Sequence, residues 1–140
     1  MSTAIDSNVV AALWDPDDTL NTQARAALDA AQSRGTLVIS APVFAELLAS
    51  RERDEAFVDS FCEGTGIRLE WDLEETIWRI AGRAFRAYAA RRKTQSANVP
   101  RRILADFLIG AHALHRGYHL LTLDDRLYRA AFPNLHIIPA

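Results

Sequence analysis

One acidic residue lies inside an otherwise apolar helical pattern near the end of the chain. In ILADFLIGAHALHRG, residues 103–117, apolar residues recur at intervals of three and four, as in a helix that buries one face. Asp106 stands in the middle of this run. Burying an unpaired carboxylate costs several kcal/mol or forces it to take up a proton. Asp106 is therefore predicted either to pair with Arg101 or Arg102 or to help bind a cation.

Three more acids stand where predicted strands give way to the next element. Asp6 closes the first strand, Asp124 follows the fourth strand directly, and Glu46 lies near the start of the helix after the second strand. Asp106 lies near the start of the helix that precedes the fourth strand, and that helix must run antiparallel to the strands. In an open parallel sheet, ligands bind beyond the carboxyl ends of the strands. The four acids are therefore predicted to meet at that edge.

Four carboxylates at one edge repel one another strongly where the local dielectric is low. A divalent cation would remove this repulsion. Ligands that are all oxygen, without cysteine or a histidine pair, favour Mg²⁺ or Mn²⁺ over Zn²⁺. Mg²⁺ usually keeps waters and substrate phosphates in its coordination shell, which suits it to phosphoryl chemistry. The acids therefore predict a site for a metal-dependent reaction at a phosphate.

Alternating strand and helix patterns supply the frame for these acids. Five strands are predicted, one that ends at Asp6 and four that span residues 36–40, 67–71, 118–123 and 135–139. Helices are predicted after Ser7 and Asn8 (both able to cap a helix), from Thr19 to Gly35, from Pro42, over 54–63 and 73–92, from Pro100, and over 126–132. Strands separated by helices predict a parallel sheet covered on both faces. No repeat or change in composition divides the chain, so residues 1–140 are predicted to form one domain.

Length and composition are those of an ordinary globular protein. The chain has 140 residues, 49% of them hydrophobic and 24% charged, which is enough for a core without disulfides. The one cysteine, Cys62, excludes an internal disulfide and suits a reducing compartment. No signal-peptide pattern opens the sequence, and no apolar run approaches the roughly 18 residues of a membrane span. We expect a cytoplasmic protein that is not attached to a membrane.

The chain has a net charge of −2, but its two halves carry net charges of opposite sign. Residues 1–75 hold 5 basic against 15 acidic residues, a balance of −10, and residues 76–140 hold 11 against 3, a balance of +8. A basic half favours a polyanionic partner. The segment ARRKTQSANVPRR, residues 90–102, leads directly into the Asp106 helix and is predicted to bind phosphates. Its cationic residues are Arg91, Arg92, Lys93, Arg101 and Arg102.

Four segments follow one another in a characteristic order. They are AIDSN at 4–8, APVFAELL at 41–48, DFLIGAHAL at 106–114, and LLTLDDRLYRAAFPNLHII at 120–138. Together they resemble the PIN-domain ribonucleases and, within them, the VapC-like toxins of type II bacterial toxin–antitoxin pairs. The resemblance covers nearly the whole chain. It implies a PIN-like three-layer α/β/α sandwich around a central parallel sheet of four or five strands.

The resemblance also implies roles for single residues. The catalytic acids would be Asp6, Glu46, Asp106 and Asp124. Three of these would bind Mg²⁺ or Mn²⁺: Asp6, Asp106 and Asp124. The residues that support the site would be Ser7, Asn8 and Thr122. Asp125 is a second acid directly after Asp124. It is predicted to assist the site or to act as a negative charge at a helix N-terminus.

The implied activity is that of a Mg²⁺- or Mn²⁺-dependent endoribonuclease that arrests growth by cleaving RNA. The basic segment would grip single-stranded RNA, and a VapB-like antitoxin protein would be the cognate partner. A homodimer is implied as well, and large apolar residues on two predicted helices favour it: Val43, Phe44, Leu47, Leu48, Phe57 and Phe61. The alternative is a non-catalytic PIN-fold binding or scaffold module, which would have no use for four repelling acids.

Two other Mg²⁺-dependent folds fit the sequence less well. A phosphorylated receiver domain needs a lysine at the end of a late strand, but the only lysine is Lys93, which follows the long helix. An aspartyl-phosphate phosphatase needs a second Asp two residues after the first, where this chain has Asn8. The four histidines lack the spacing of a metal site, and His112 is predicted to be a core or interface residue.

Overall fold

A parallel sheet of five strands lies at the centre of the computed structural model, which describes residues 1–50, 52–94 and 104–140. The strands are β1 (Thr3–Ile5), β2 (Leu37–Ser40), β3 (Arg68–Glu70), β4 (His119–Thr122) and β5 (Ile137–Pro139). They lie in the order β3-β2-β1-β4-β5, and every neighbouring pair is parallel. Strands β1 and β2 are buried throughout, as expected of apolar strands that are covered on both faces.

Helices connect the strands and flank the sheet. Those of the described residues are α1 (Ser7–Trp14), α2 (Asn21–Arg34), α3 (Ala41–Leu47), α4 (Glu55–Thr65), α5 (Glu75–Thr94), α6 (Leu104–Arg116) and α7 (Arg126–Ala131). The predicted α/β sandwich around a parallel sheet is therefore confirmed, with five strands. The start that was predicted for α6, at Pro100, lies outside the described residues. None of the helices in the described ranges is both long and apolar enough to cross a membrane.

The winding of the sheet reverses at β1. From β1 the chain first adds β2 and β3 on one side, and then passes through α5 and α6 to β4 on the other side. The connections that leave β1 and β4 diverge at the carboxyl ends of these two strands. This reversal is where open α/β sheets leave a crevice for a ligand.

Helices α5 and α6 pack antiparallel. Glu74, just before α5, accepts a hydrogen bond from Arg116 at the end of α6. In the second half of α5, Phe85 and Tyr88 pack on Phe107 near the start of α6, with ring centroids 5.0 and 5.5 Å apart. The C-terminal end of α5 therefore lies beside the N-terminal end of α6.

Two buried contacts fix α6 in place. His112 is fully buried, which confirms it as a core residue, and its Nε2 lies 2.9 Å from Glu70 Oε1 at the end of β3. On the same helix, a Cβ added at Gly110 would lie 2.3 Å from the buried Phe132 ring. Only glycine allows α6 to pass so close to Phe132.

The helices predicted to offer a dimer surface bury some of their large apolar residues within the chain. Val43 and Leu47 are buried, and Phe57 and Phe61 pack edge-on against Trp14 with ring centroids 5.1 and 5.2 Å away. The other four side chains of this set are only partly buried within one chain, so the dimer surface on these helices stays a prediction.

Candidate active site

A small cavity of about 100 Å³ lies at the carboxyl ends of β1 and β4, where the winding reverses. The residues that line it are Asp6, Ser7, Asn8, Asp106, Asp124, Leu127 and Tyr128. Asp6 follows β1, Asp106 lies in the first turn of α6, and Asp124 follows β4. Three of the four predicted catalytic acids are therefore brought to one space by three separate parts of the fold.

Asp6 is buried, with only 4% of its surface exposed. Its Oδ2 accepts hydrogen bonds from Thr122 Oγ1 at 2.8 Å and from Tyr128 Oη at 3.0 Å. Burial raises the pKa of Asp6, and the charge of Asp124 adds to this rise, although the hydrogen bonds to the carboxylate oppose it. A positive charge in the cavity would favour the ionised form of Asp6.

Thr122, the fully buried last residue of β4, joins Asp6 to the turn that follows β4. Besides donating to Asp6, its Oγ1 accepts a hydrogen bond from the backbone N–H of Asp124 at 3.1 Å. Asn8 holds the same turn, because its Oδ1 accepts from the backbone N–H of Leu123 at 3.2 Å. These bonds connect the carboxyl ends of β1 and β4, so they fix Asp124 relative to Asp6.

Glu46 on α3 is joined to the cavity through Ser7. The Ser7 hydroxyl donates to Glu46 Oε1 at 2.8 Å, and Ser7 lines the cavity, whereas Glu46 lies behind it. Burial raises the pKa of Glu46, the hydrogen bond from Ser7 opposes this, and the charge of Asp6 adds to it. Because Ser7 and Asn8 bond to other elements, the prediction that they cap α1 was wrong, and Asp6 occupies the N-cap position instead.

The two neighbouring acids after β4 lie in different surroundings. Asp124 is half-buried and lines the cavity. Asp125 does not line it, and its Oδ2 accepts a hydrogen bond from Arg129 Nε at 2.7 Å, one turn further along α7. This bond lowers the pKa of Asp125. Asp125 stands at the N-cap position of α7, but its side chain makes no capping hydrogen bond.

Tyr128 lines the cavity and was not identified from the sequence. It is 2% exposed, and burial together with the charges of Asp6, Asp106 and Glu46 raises its pKa, so its hydroxyl stays protonated. The available signal was its spacing, because Tyr128 lies four residues after Asp124. Asp124 itself precedes α7, so the signal is the closeness of α7 to this acid along the chain rather than a helical repeat.

The donors around the cavity fit a hard divalent cation. Asp6, Asp106 and Asp124 offer carboxylate oxygens, and no cysteine or histidine is among the described residues that line the cavity. Within the described ranges, no three Asp, Glu, His or Cys side chains come close enough to complete a cation site by themselves. Mg²⁺ usually binds one or two carboxylates directly and keeps several waters. A partly hydrated Mg²⁺ or Mn²⁺ therefore fits this cavity.

The basic residues predicted to bind phosphates fall into two groups. Arg91, Arg92 and Lys93 lie in the last turn of α5, where Arg92 and Lys93 are exposed. Since the end of α5 lies beside the start of α6, they stand on the same side of the molecule as Asp106. Arg101 and Arg102 lie outside the described residues.

The fold and the cavity define a class of α/β protein whose sheet is wound in two directions and gathers acids where the winding reverses. The chain belongs to the PIN domain family, whose model matches residues 3–133. No curated protein matches the sequence.

Solved structures of toxin–antitoxin systems have the same fold. VapBC2 from Rickettsia felis, bound to a DNA fragment from its promoter, has a TM-score of 0.69 and 19% identity, over 100% of this chain and 99% of that chain. FitAcB from Neisseria gonorrhoeae has a TM-score of 0.66 and 21% identity, over 97% and 96%. VapC20 from Mycobacterium tuberculosis, a sarcin–ricin loop cleaving toxin, has a TM-score of 0.58 and 16% identity, over 91% and 94%. The predicted resemblance to VapC-like PIN domains is thus confirmed in family and fold.

Proposed function

We propose that this protein is a Mg²⁺- or Mn²⁺-dependent endoribonuclease that acts as the toxin of a toxin–antitoxin pair. The observation that carries the proposal is the single cavity lined by Asp6, Asp106 and Asp124 at the reversal of the sheet. Membership of the PIN domain family supports it. So does the shared fold with VapC20, a sarcin–ricin loop cleaving toxin.

In this proposal each side chain of the site has a defined task. Asp6, Asp106 and Asp124 hold the cation, which when bound offsets their repulsion and polarises the scissile phosphate. Ser7 stands between the cavity and Glu46 and donates to Glu46 Oε1. When an attacking water gives a proton to Ser7 Oγ, Ser7 passes its own proton to Glu46. Burial raises the pKa of Glu46, which makes it a better general base.

The RNA backbone would be held beside the cavity by cations. Arg91, Arg92 and Lys93 at the end of α5 lie on the side of Asp106 and would contact phosphates. We propose the same role for Arg101 and Arg102, which lie outside the described residues. Contacts to phosphates position a nucleic acid without reading its sequence. These residues would therefore set the affinity for RNA rather than the choice of the cleaved sequence.

The proposed partners are an antitoxin protein and a second copy of the chain. Solved complexes with the same fold include VapBC and FitAcB, which supports an antitoxin partner. We expect both proteins to lie in the cytoplasm. For the homodimer, the support comes from two exposed aromatic residues, Trp71 at 54% and Trp78 at 49% exposure. Large exposed aromatic side chains are enriched at interfaces.

Cleavage of total bacterial RNA by the purified protein tests the proposal. We expect cleavage with Mn²⁺ or Mg²⁺, none with EDTA, and loss of cleavage in Asp6→Asn. Asp29→Asn, an exposed acid on α2, is the matched control and should cleave like the wild type. Failure of the wild type, saturated with Mn²⁺, to cleave any RNA would refute the nuclease proposal.

A further inference from the structure

Tyr128 joins α7 to the end of β1 through one hydrogen bond inside the site. Its hydroxyl donates to Asp6 Oδ2 at 3.0 Å, and the Thr122 hydroxyl donates to the same oxygen at 2.8 Å. The two donors come from different elements, α7 and β4. Two donors on one oxygen fix the plane of the carboxylate, and this fixes the position of its other oxygen as well.

Packing alone does not require the Tyr128 hydroxyl. Phenylalanine would fill nearly the same volume, and a buried phenol hydroxyl costs free energy unless it finds a partner. Tyr128 is 2% exposed, and its hydroxyl is directed at the one acid of the cavity that is itself buried. The hydroxyl is therefore placed where it acts on Asp6.

Building on the proposed function, we propose that Tyr128 is a positioning residue for Asp6. Its hydroxyl holds the Asp6 carboxylate in the orientation that binds Mn²⁺ or Mg²⁺. Because α7 directly follows the turn that carries Asp124, the same bond couples Asp6 to that turn. Tyr128 acts through Asp6, as residues that hydrogen-bond to metal ligands commonly do.

The test compares two variants that each remove one phenol hydroxyl. Tyr128→Phe removes the bond to Asp6. Tyr118→Phe is the matched control, because Tyr118 Oη also donates to a carboxylate, Glu70 Oε2 at 2.7 Å, and does not line the cavity. Calorimetric titration with Mn²⁺ should show affinity about 10–100-fold weaker in Tyr128→Phe and unchanged in Tyr118→Phe. RNA cleavage by Tyr128→Phe should recover as Mn²⁺ is raised, because the defect lies in cation binding.

A second measurement uses the other donor to the same oxygen. Thr122→Val should also weaken Mn²⁺ binding, and the double variant should lose less than the sum of the two losses, because both hydroxyls act on one carboxylate. Unchanged Mn²⁺ affinity in folded Tyr128→Phe, an equal loss in Tyr118→Phe, or strictly additive losses would overturn the assignment. If Tyr128→Phe does not fold, Thr122→Val alone decides, and wild-type affinity there overturns it. A wild type that binds no Mn²⁺ would refute the proposed function itself, and this inference with it.

Discussion

At Asp6, burial and charge act against each other. The carboxylate is buried beside Asp124, and both effects raise its pKa, while hydroxyl groups from Thr122 and Tyr128 stabilise its charge. A cation that binds only the folded protein stabilises the fold by mass action. Cation binding and folding stability are therefore expected to be linked at this residue.

Replacing any one of the acids that line the cavity should abolish the reaction while the fold is kept. We expect Asp6→Asn, Asp106→Asn and Asp124→Asn each to lower the rate of RNA cleavage by more than about 100-fold, the upper range for residues that merely support a metal ligand. Without metal, each variant should melt at the wild-type temperature or above it, because one repelling charge is gone. Initial rates and thermal melts in EDTA measure both effects. An acid whose variant cleaves at a near wild-type rate does not belong to the site.

The two acids after β4 should differ in importance. Asp124 lines the cavity, whereas Asp125 accepts its hydrogen bond from Arg129. Asp125→Asn should therefore retain most of the cleavage rate that Asp124→Asn loses. The two variants carry the same chemical change at adjacent positions, so each is a control for the other in one assay. The reverse ranking would mean that Asp125 is the active acid.

At the scale of elements, Glu70 connects the edge strand β3 to α6 and its surroundings. It accepts hydrogen bonds from Tyr118 at 2.7 Å and Arg68 at 2.9 Å, and it contacts His112 of α6. Burial raises the pKa of Glu70, but the bonds from Tyr118, His112 and Arg68 outweigh burial and hold the pKa below its ordinary value. The charged form is thus favoured in the folded state. This contribution to stability is present at pH values above the pKa of Glu70 in the unfolded chain. It is lost as the pH falls through the pKa of Glu70 in the folded protein.

Glu70→Gln should lower the free energy of unfolding by about 1.5–3 kcal/mol at neutral pH, the range for hydrogen bonds to a charged group. The difference from the wild type should shrink as the pH falls through the lowered pKa of Glu70, because the side chain then takes up a proton. Urea denaturation at several pH values measures this difference in the free energy of unfolding. Glu75→Gln is the control, since the Glu75–Arg79 pair is exposed and should contribute less than about 1 kcal/mol. A difference that grows on acidification would contradict this account.

At the scale of the whole molecule, two exposed tryptophans bear on the state of assembly. Trp71 and Trp78 are each about half exposed, and Trp71 packs edge-on against Phe44 with ring centroids 4.8 Å apart. If the exposed Trp71 and Trp78 side chains lie in an interface between two copies of the chain, sedimentation at micromolar concentration should give a mass near twice the 15.6 kDa of one chain. Trp78→Ser should shift the distribution toward single chains, whereas Leu20→Ser, at another exposed apolar residue, should not. A wild type that sediments as one chain would rule out the dimer.

Much of the molecule could be predicted from the sequence. The order of strands and helices followed from apolar periodicity, which is a local property of the chain. Asp6, Asp106 and Asp124 could be assigned to one edge because parallel strands share the direction of their carboxyl ends. The expectation of Mg²⁺ or Mn²⁺ rests on the residue types alone, since carboxylates without cysteine or paired histidines favour these cations, and it stays a prediction.

Only the tertiary structure decided how the side chains of the site are connected. Ser7 bonds to Glu46 instead of capping α1, Asp125 bonds to Arg129, and Tyr128 bonds to Asp6, which lies 122 residues away. The same holds for Phe57 and Phe61, which pack on Trp14 within one chain. Such contacts depend on side-chain rotamers and on the distance between packed elements. Periodicity encodes which face of an element is buried, but not which atom its polar side chains reach.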